Sequence, residues 1–314
     1  MDNRQKNEIK IFVVMIYLES FSFPSIKKED YFLADYYKKN PYGPQSHYPF
    51  EVLSLRGLSR LDFSEVTVLY GGNGSGKSTA LNIIANKLNL ARSSAYNKGD
   101  FQTEYLKMCS YEEGGDLDHL EEIKDKATII CSDDIFRHML DNRKSNESVR
   151  KQTKSSLEEY FELMEPSSMP RHFDFETGEG LDKLNEIRSA KRKGPAQYLK
   201  EKIGERTALF SNGETGFMKF IESIVPDRLY ILDEPENSLS CELQMKLAQY
   251  IEESSRYLGC QFIIATHSPF LLALENAKIY NLDGNPATVS RFSDLPNMKL
   301  FYKLFKKHEE EFEF

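Results

Sequence analysis

Three short apolar runs, each followed by polar or glycine residues, stand out in the hydrophobic pattern of this chain. FSEVTVLY ends at the glycines that begin with Gly71, the apolar run in RLYILDEPENSLS ends in Asp233 and Glu234, and QFIIATHSP ends in polar residues that include His267. Short apolar runs bounded by turn residues are typical of buried strands. Because the carboxyl ends of parallel strands meet at one edge of an open α/β sheet, where such folds bind ligands, the pattern predicts a functional edge.

Two helices are predicted from apolar residues at helical spacing. The first follows directly after the Gly71 loop, in STALNIIANKL, and the second begins at Ser211, which forms a capping box with Glu214. The spaced apolar residues are Leu81, Ile84, Ala85 and Leu88 in the first helix and Phe217, Phe220, Ile221 and Ile224 in the second. The order around Gly71 is therefore strand, loop, helix.

The loop between that strand and helix fits the phosphate-binding pattern G-x-x-x-x-G-K-[ST]. Its glycines permit positive φ and let backbone N–H groups point at phosphate oxygens. We expect Lys77 to reach the β- and γ-phosphates and the Ser78 hydroxyl to bind Mg²⁺ at the positive end of the helix. The expected nucleotide-binding residues are Gly71, Gly72, Asn73, Gly74, Ser75, Gly76, Lys77, Ser78 and Thr79.

The other two strand ends supply candidate catalytic groups. Asp233 at a strand tip beside a phosphate loop is suited to hold Mg²⁺, and Glu234 is then placed to act as general base toward the attacking water. His267 is interpreted as a hydrogen-bonding partner of the γ-phosphate. The alternatives are an acidic turn before a proline and a structural histidine.

Charge and cysteine content limit the classes of function. The 41 Lys and Arg against 49 Asp and Glu give a net charge of -8, so nucleic-acid binding would need a local patch. Two basic segments, 143–154 and 187–206, are either such a patch or solvated helix faces.

The four cysteines form no metal-binding pair, and we interpret them as reduced core thiols in a cytoplasmic protein. IFVVMIYL, residues 11–18, is predicted to be a buried first strand.

The order GGNGSGKST, FSNGET, YILDEPENSLS, ATHSP resembles the ATP-binding-cassette ATPases. The motifs are most similar to those of the soluble branch, which includes chromosome-maintenance and recombination ATPases, the ATPase half of overcoming-lysogenization-defect nucleases, and stand-alone bacterial ATPases of the AAA type. The resemblance implies an α/β P-loop NTPase fold with a mixed, mainly parallel sheet and a helical insertion lobe. It also implies ATP and Mg²⁺ as ligands.

The resemblance assigns further roles by position. Ser211, Asn212, Gly213 and Glu214 correspond to the signature motif, which in this family binds the γ-phosphate held by the opposite subunit, and Ser238 falls in the loop that crosses the dimer interface. A homodimer closed by ATP is therefore expected. Gln102 is a candidate for the family's glutamine near the metal, or else a polar loop residue. Tyr48 and Phe50 are candidates for stacking on adenine.

We expect one ATPase domain over residues 1–314, with a core at about 1–89 and 226–295, an insertion lobe at about 90–225, and a C-terminal helix at about 296–314. The apolar stripe of that helix is interpreted as core, or else as a docking surface for a partner. The function expected is an ATP-hydrolysing switch that acts on a separately encoded effector in bacterial DNA transactions or phage defence. A transporter's ATPase subunit and a non-catalytic ATP-binding scaffold are the alternatives.

Overall fold

A computed structural model describes residues 16–92, 97–115, 123–132, 156, 159–162, 187–189 and 212–312. Within these ranges the chain forms two sheets flanked by helices. The larger sheet has six strands in the order β5-β6-β7-β3-β8-β9 and the smaller has three in the order β2-β1-β4. The structure confirms the α/β fold with a mixed, mainly parallel sheet.

The larger sheet carries the three apolar runs. Its strands are β3 (Val66–Tyr70), β5 (Ala127–Cys131), β6 (Leu229–Asp233), β7 (Gln261–Ala265), β8 (Lys278–Asn281) and β9 (Thr288–Ser290). The first five run parallel and β9 pairs antiparallel with β8. The pairing places Leu69, Ala265, Asp233 and Cys131 in one row across the sheet. The residues that follow this row lie at the predicted functional edge.

The smaller sheet is antiparallel, and its first strand begins at Leu18, the last residue of the predicted run. It contains β1 (Leu18–Ser22), β2 (Arg60–Asp62) and β4 (Ser110–Glu113). Most of the strand predicted over residues 11–18 lies outside the described residues. A buried side chain, Gln261, joins this sheet to the larger one: its Oε1 accepts from the N–H groups of Tyr17 (2.9 Å) and Leu18 (3.0 Å), and its Nε2 donates to the carbonyl oxygens of Leu18 (2.9 Å) and Ser64 (3.1 Å).

Eight α-helices can be delimited in the described ranges. They are α1 (Ile26–Lys39), α2 (Lys77–Lys87), α3 (Gln102–Met108), α4 (Ile123–Lys126), α5 (Asn212–Ser223), α6 (Cys241–Tyr257), α7 (Pro269–Leu272) and α8 (Pro296–Lys307). Short 3-10 turns lie at Ser54–Arg56, Phe292–Asp294 and Glu309–Glu311. The predicted helices after the Gly71 loop and after Ser211 are α2 and α5. None of the helices in these ranges is long and apolar enough to cross a membrane.

The core lies on both faces of the larger sheet. Leu69 of β3 packs in the cluster that contains Leu81 and Ile84 of α2. Its neighbour Val68 packs in the opposite cluster with residues of α5 and α6, among them Ile221. Alternate residues of a strand point to opposite faces, and a parallel sheet covered on both faces reads as a continuous apolar run. Full burial of one such side chain contributes about 1.5–3 kcal/mol.

Two expectations need correction. The C-terminal stripe is not core, because Leu300, Phe301, Leu304 and Phe305 of α8 are 40–62% exposed. Cys241 is exposed, whereas the other three cysteines are buried. The range expected for the insertion lobe includes β4 and β5 of the two sheets, and the division into core and lobe stays a prediction. Periodicity alone cannot distinguish an apolar stripe that packs on its own domain from one that does not.

Candidate functional site

The Gly71 loop has the backbone geometry of a phosphate cradle. Gly74 (φ 77°) and Gly76 (φ 97°) both adopt left-handed conformations, which are readily accessible to glycine. Gly76 is the N-cap of α2, so the loop turns directly into that helix. A Cβ on Gly71 would lie 2.5 Å from Ser75 Oγ, whereas the space beside Gly74 is open to 4 Å. The loop is therefore folded tightly beside Gly71 and has open space beside Gly74, and its glycine conformations suit a phosphate-binding turn.

Lys77 connects this loop to β7. The side chain is 5% exposed, and Nζ lies within hydrogen-bonding distance of the carbonyl oxygens of Gly71 (2.8 Å) and Gly72 (3.2 Å) and of His267 Nε2 (2.8 Å). An ammonium group carries three protons, enough to donate to all three of these atoms when Nε2 of His267 is unprotonated. Burial lowers the pKa of Lys77, and the negative charge of Glu234 is the largest effect opposing it.

Ser78 and Asp233 form a pair of oxygen ligands. Ser78 Oγ donates to Asp233 Oδ1 at 2.9 Å. Burial raises the pKa of Asp233 to about 6, and nearby Glu234 adds to the rise while the Ser78 hydrogen bond and Lys77 oppose it. Mg²⁺ at phosphoryl sites usually takes one or two protein oxygens and fills its remaining positions with phosphate and water. The donor chemistry of this pair fits Mg²⁺.

Glu234 has an unusual backbone conformation and contacts the residues around β7. Its φ is 49°, a left-handed conformation that is strained for a non-glycine residue and is often found at functional sites. Its N–H donates to Ala265 O at 2.9 Å, and its Oε2 accepts from Asn237 Nδ2 at 3.0 Å. Its Oε1 lies 3.5 Å from His267 Nε2. Both side chains are 31% exposed, so the carboxylate is accessible to a water molecule.

The structure thus brings together five residues predicted from three distant segments: Lys77, Ser78, Asp233, Glu234 and His267. They lie at the carboxyl ends of β3, β6 and β7, on the predicted edge.

One of the two candidates for stacking on the base lies beside the loop: the Tyr48 hydroxyl oxygen is 3.5 Å from Thr79 Oγ1. Tyr48 is half-buried and remains a candidate for contact with the nucleotide base. Phe50 is not, because it is 2% exposed and packs against the rings of Phe32, Phe101 and Tyr105.

The structure gives less information about the other predicted site residues. Gln102 is the first residue of α3, and its Oε1 is buried without a hydrogen-bonding partner in the described part of the chain, so its proposed role near a metal stays a prediction. Ser238 follows β6 in a left-handed conformation, φ 69°. Ser211 lies outside the described residues, and Asn212, Gly213 and Glu214 form the start of α5. The basic segment 143–154 lies outside the described ranges, as does most of 187–206.

Two residues at the site were not predicted. Asp283, just after β8, accepts the Gly72 N–H with both carboxylate oxygens, at 2.8 and 2.9 Å. Glu236 is buried between the loops that follow β6 and β7. The signals available in the sequence were a carboxylate two residues after Asp233–Glu234 and an Asp-Gly turn at 283–284. Neither signal identifies its partner, because both contacts join residues distant in sequence.

Comparison with known proteins identifies the class. The family described as "ABC transporter" matches residues 59–237, which is more than half of the chain, and the chain belongs to this family of ATP-binding P-loop ATPases. A second family, described as "AAA domain, putative AbiEii toxin, Type IV TA system", matches residues 206–273. The fold and the phosphate loop agree with this membership.

Individual relatives are distant. The tungstate uptake system ATP-binding protein TupC of Campylobacter jejuni is 25% identical over 274 residues, which cover 82% of this chain and 69% of TupC. Among solved structures, an ATP-binding cassette dimer in a post-hydrolysis state with ADP and phosphate is 14% identical and covers 75% of this chain and 90% of its own (TM-score 0.36). An Smc head domain bound to a domain of ScpA, derived from Pyrococcus furiosus, is 14% identical and covers 92% and 100% (TM-score 0.42).

Proposed function

We propose that this chain binds ATP with Mg²⁺, hydrolyses it to ADP and phosphate, and uses that cycle as a switch on a partner. One observation carries the proposal: a buried lysine, a Ser-Asp oxygen pair, a half-exposed glutamate and a histidine from three distant segments converge at one sheet edge, joined by contacts of 2.8–3.5 Å. Phosphoryl transfer requires these parts, since its catalysis is mainly positioning and charge stabilisation.

The chain's own residues account for the chemistry as follows. When ATP enters, the Lys77 ammonium group gives up its contacts with the Gly71 and Gly72 carbonyl oxygens and with His267, and it contacts phosphate oxygens instead. Glu234 accepts a proton from the water whose oxygen attacks the γ-phosphorus, while the bond to the β–γ bridging oxygen breaks. His267, released by Lys77, hydrogen-bonds the γ-phosphate. When bound at Ser78 and Asp233, Mg²⁺ supplies positive charge to the β- and γ-phosphates.

The second half of each site comes from another copy of the chain in this proposal. Ser211 to Glu214 lie at or just before the beginning of α5, and a helix N-terminus with small polar residues suits a phosphate. Ser238 would then lie at the interface between the two copies. ATP held between the copies favours the closed homodimer, and hydrolysis removes the γ-phosphate that joins them.

For the partner, we favour a separately encoded effector in bacterial DNA transactions or phage defence, with the protein acting in the cytoplasm. The match of residues 206–273 to the family described as "AAA domain, putative AbiEii toxin, Type IV TA system" supports this direction. The signature SNGET and the loop ENSLS also depart from the SGGQ and TSALD common in transporters. The basic segments 143–154 and 187–206 are the proposed nucleic-acid contacts.

A second candidate function is supported by the comparisons. The relative TupC is named as the ATP-binding protein of a tungstate uptake system. In that role the switch would act on a membrane-embedded partner encoded separately. The catalytic residues would be the same, so only partner binding distinguishes the two functions.

Light scattering of the Glu234→Gln variant, which should bind ATP without turning it over, tests the switch. We expect the mass to double when Mg²⁺-ATP is added and to stay monomeric with ADP. Adding Ser211→Arg to this variant should abolish the doubling without preventing ATP binding. A parallel run with a short duplex DNA tests the basic segments. A mass that does not respond to ATP would contradict the homodimer.

A further inference from the structure

A buried carboxylate, Glu236, joins the two loops that carry Glu234 and His267. Glu236 lies two residues after Glu234 in the turn that follows β6, and it is 8% exposed. We infer that Glu236 is a positioning residue for ATP hydrolysis: its carboxylate holds the backbone of His267 so that the imidazole stays aimed at the γ-phosphate position and at a fixed distance from Glu234. This inference rests on the proposed function.

Three donors from the loop after β7 converge on a single oxygen of Glu236. Oε1 accepts from Thr266 Oγ1 (2.5 Å), from the N–H of His267 (2.8 Å) and from the N–H of Ser268 (3.1 Å). The Ser268 N–H also lies 2.9 Å from Thr266 Oγ1. Hydrogen bonds to a charged acceptor are stronger than neutral ones. The backbone of His267 is thus fixed by a group outside its own strand.

A second bond joins the same two loops from the other side. The N–H of Glu234 donates to the carbonyl oxygen of Ala265, the last residue of β7, at 2.9 Å. The turn 234–236 is therefore attached to residues 265–268 at both of its ends. Because Glu234 and His267 each belong to one of these segments, the 3.5 Å between Glu234 Oε1 and His267 Nε2 depends on both attachments.

Burial of the Glu236 carboxylate has a free-energy cost that a purely structural role does not explain. The second oxygen of Glu236, Oε2, is buried with no hydrogen-bonding partner among the described residues. A buried carboxylate with one unsatisfied oxygen destabilises a fold, and such a group in a native structure calls for an explanation. Precise placement of His267 provides one, because small displacements of catalytic groups reduce rate strongly while leaving binding nearly intact.

Positioning matters most once nucleotide is bound. Lys77 Nζ lies 2.8 Å from the Nε2 of His267 and restrains the imidazole ring as well. When Lys77 turns to the phosphates, that restraint is lost, and the backbone restraint from Glu236 remains. The effect of removing Glu236 should therefore appear in turnover rather than in ATP affinity.

The test compares Glu236→Ala and Glu236→Gln with the surface control Glu275→Ala. We expect Glu236→Ala to lower kcat by about 10- to 100-fold while the Kd for a fluorescent ATP analogue changes less than about twofold. Glu236→Gln keeps an oxygen acceptor and should restore kcat to within about threefold of wild type. Unchanged kcat in Glu236→Ala, or equal losses in Ala and Gln, would overturn the inference, since equal losses would point to charge rather than placement.

A readout that needs no turnover separates this inference from the proposed function. The imidazole signal of His267 in the nuclear magnetic resonance spectrum, assigned by its loss in His267→Ala, should shift in Glu236→Ala and return toward wild type in Glu236→Gln. An unmoved signal overturns the positioning role even if wild type hydrolyses ATP. If wild type does not hydrolyse ATP but the His267 signal still shifts in Glu236→Ala, only the proposed function is contradicted. If Glu236→Ala does not fold, Thr266→Val, which removes one of the three donors, gives the same comparison with a smaller expected fall in kcat.

Discussion

Replacing Gln261 by leucine should strongly destabilise the fold, because this one side chain joins the two sheets. The amide is fully buried and uses all four of its hydrogen-bonding positions on backbone groups. Leucine has nearly the same volume but can satisfy none of them. The N–H groups of Tyr17 and Leu18 and the carbonyl oxygens of Leu18 and Ser64 would each lose this partner.

The magnitude follows from those four groups. A buried backbone group left without a partner costs about 1–3 kcal/mol, and burial of the leucine side chain offsets about 1.5–3 kcal/mol of the total. Over the four groups this leaves a net loss of about 3–9 kcal/mol in the free energy of unfolding. For a chain of 314 residues, the average unfolding entropy per residue converts this loss to a fall in Tm of roughly 5–14 °C.

The chain has no tryptophan, so thermal unfolding is best followed by far-ultraviolet circular dichroism. Gln249→Leu is the matched control: Gln249 lies on α6, is only partly buried, and its side-chain amide donates to Glu253 Oε1 at a long 3.3 Å. It should change Tm by less than about 2 °C. A Gln261→Leu variant that melts within about 2 °C of wild type would refute the view that these four bonds hold the sheets together.

Three further predictions concern single side chains. In the native protein a thiol reagent should label Cys241 quickly, because this cysteine is exposed, and Cys241→Ser should abolish the fast phase. The other three cysteines are buried, and burial raises the pKa of the Cys109 thiol to about 12. Fast labelling of a second thiol would contradict this burial. Burial raises the pKa of Glu29 above its ordinary value, so the stability contributed by this group falls as pH rises above that ordinary value. Glu29→Gln should reduce this pH dependence of the free energy of unfolding, measured by urea titration at several pH values, and an unchanged pH dependence would count against the prediction. Asp283→Ala removes the acceptor at the Gly72 N–H and should weaken ATP binding by about three- to tenfold, a modest loss because Asp283 is exposed. Titration with a fluorescent ATP analogue measures this, and unchanged affinity would show that the contact does not shape the loop.

The sequence predicted the elements that carry strong local signals. The strand β3, the loop from Gly71 and the helix α2 follow from an apolar run, glycine spacing and helical periodicity, and all three are found in the structure. The acidic and histidine strand ends were also placed at the correct edge, because parallel topology brings the carboxyl ends together. Local patterns combined with this rule of topology were sufficient to predict the phosphate loop and the residues at the ends of β6 and β7.

What the sequence did not predict depends on contacts between distant segments. Glu236, Asp283 and Gln261 gain their roles from partners that lie about 30 to more than 200 positions away. Phe50 could not be separated from Tyr48 by spacing, because burial depends on which rings pack around it. The exposure of α8 was missed for a related reason: its apolar stripe is a real local pattern, but in the described chain that stripe does not pack into the core.

Steady-state ATP hydrolysis by wild type and Glu234→Gln tests the central claim most directly, with Glu275→Gln as control. Glu275 is exposed and precedes β8, at the opposite edge of the sheet from the phosphate loop. We predict that Glu234→Gln loses at least about 100-fold in kcat while it still binds ATP, and that Glu275→Gln matches wild type. Equal, measurable turnover by wild type and Glu234→Gln would contradict the role assigned to Glu234. A wild type that binds ATP without hydrolysing it would contradict the proposed hydrolysis and indicate a non-catalytic ATP-binding scaffold.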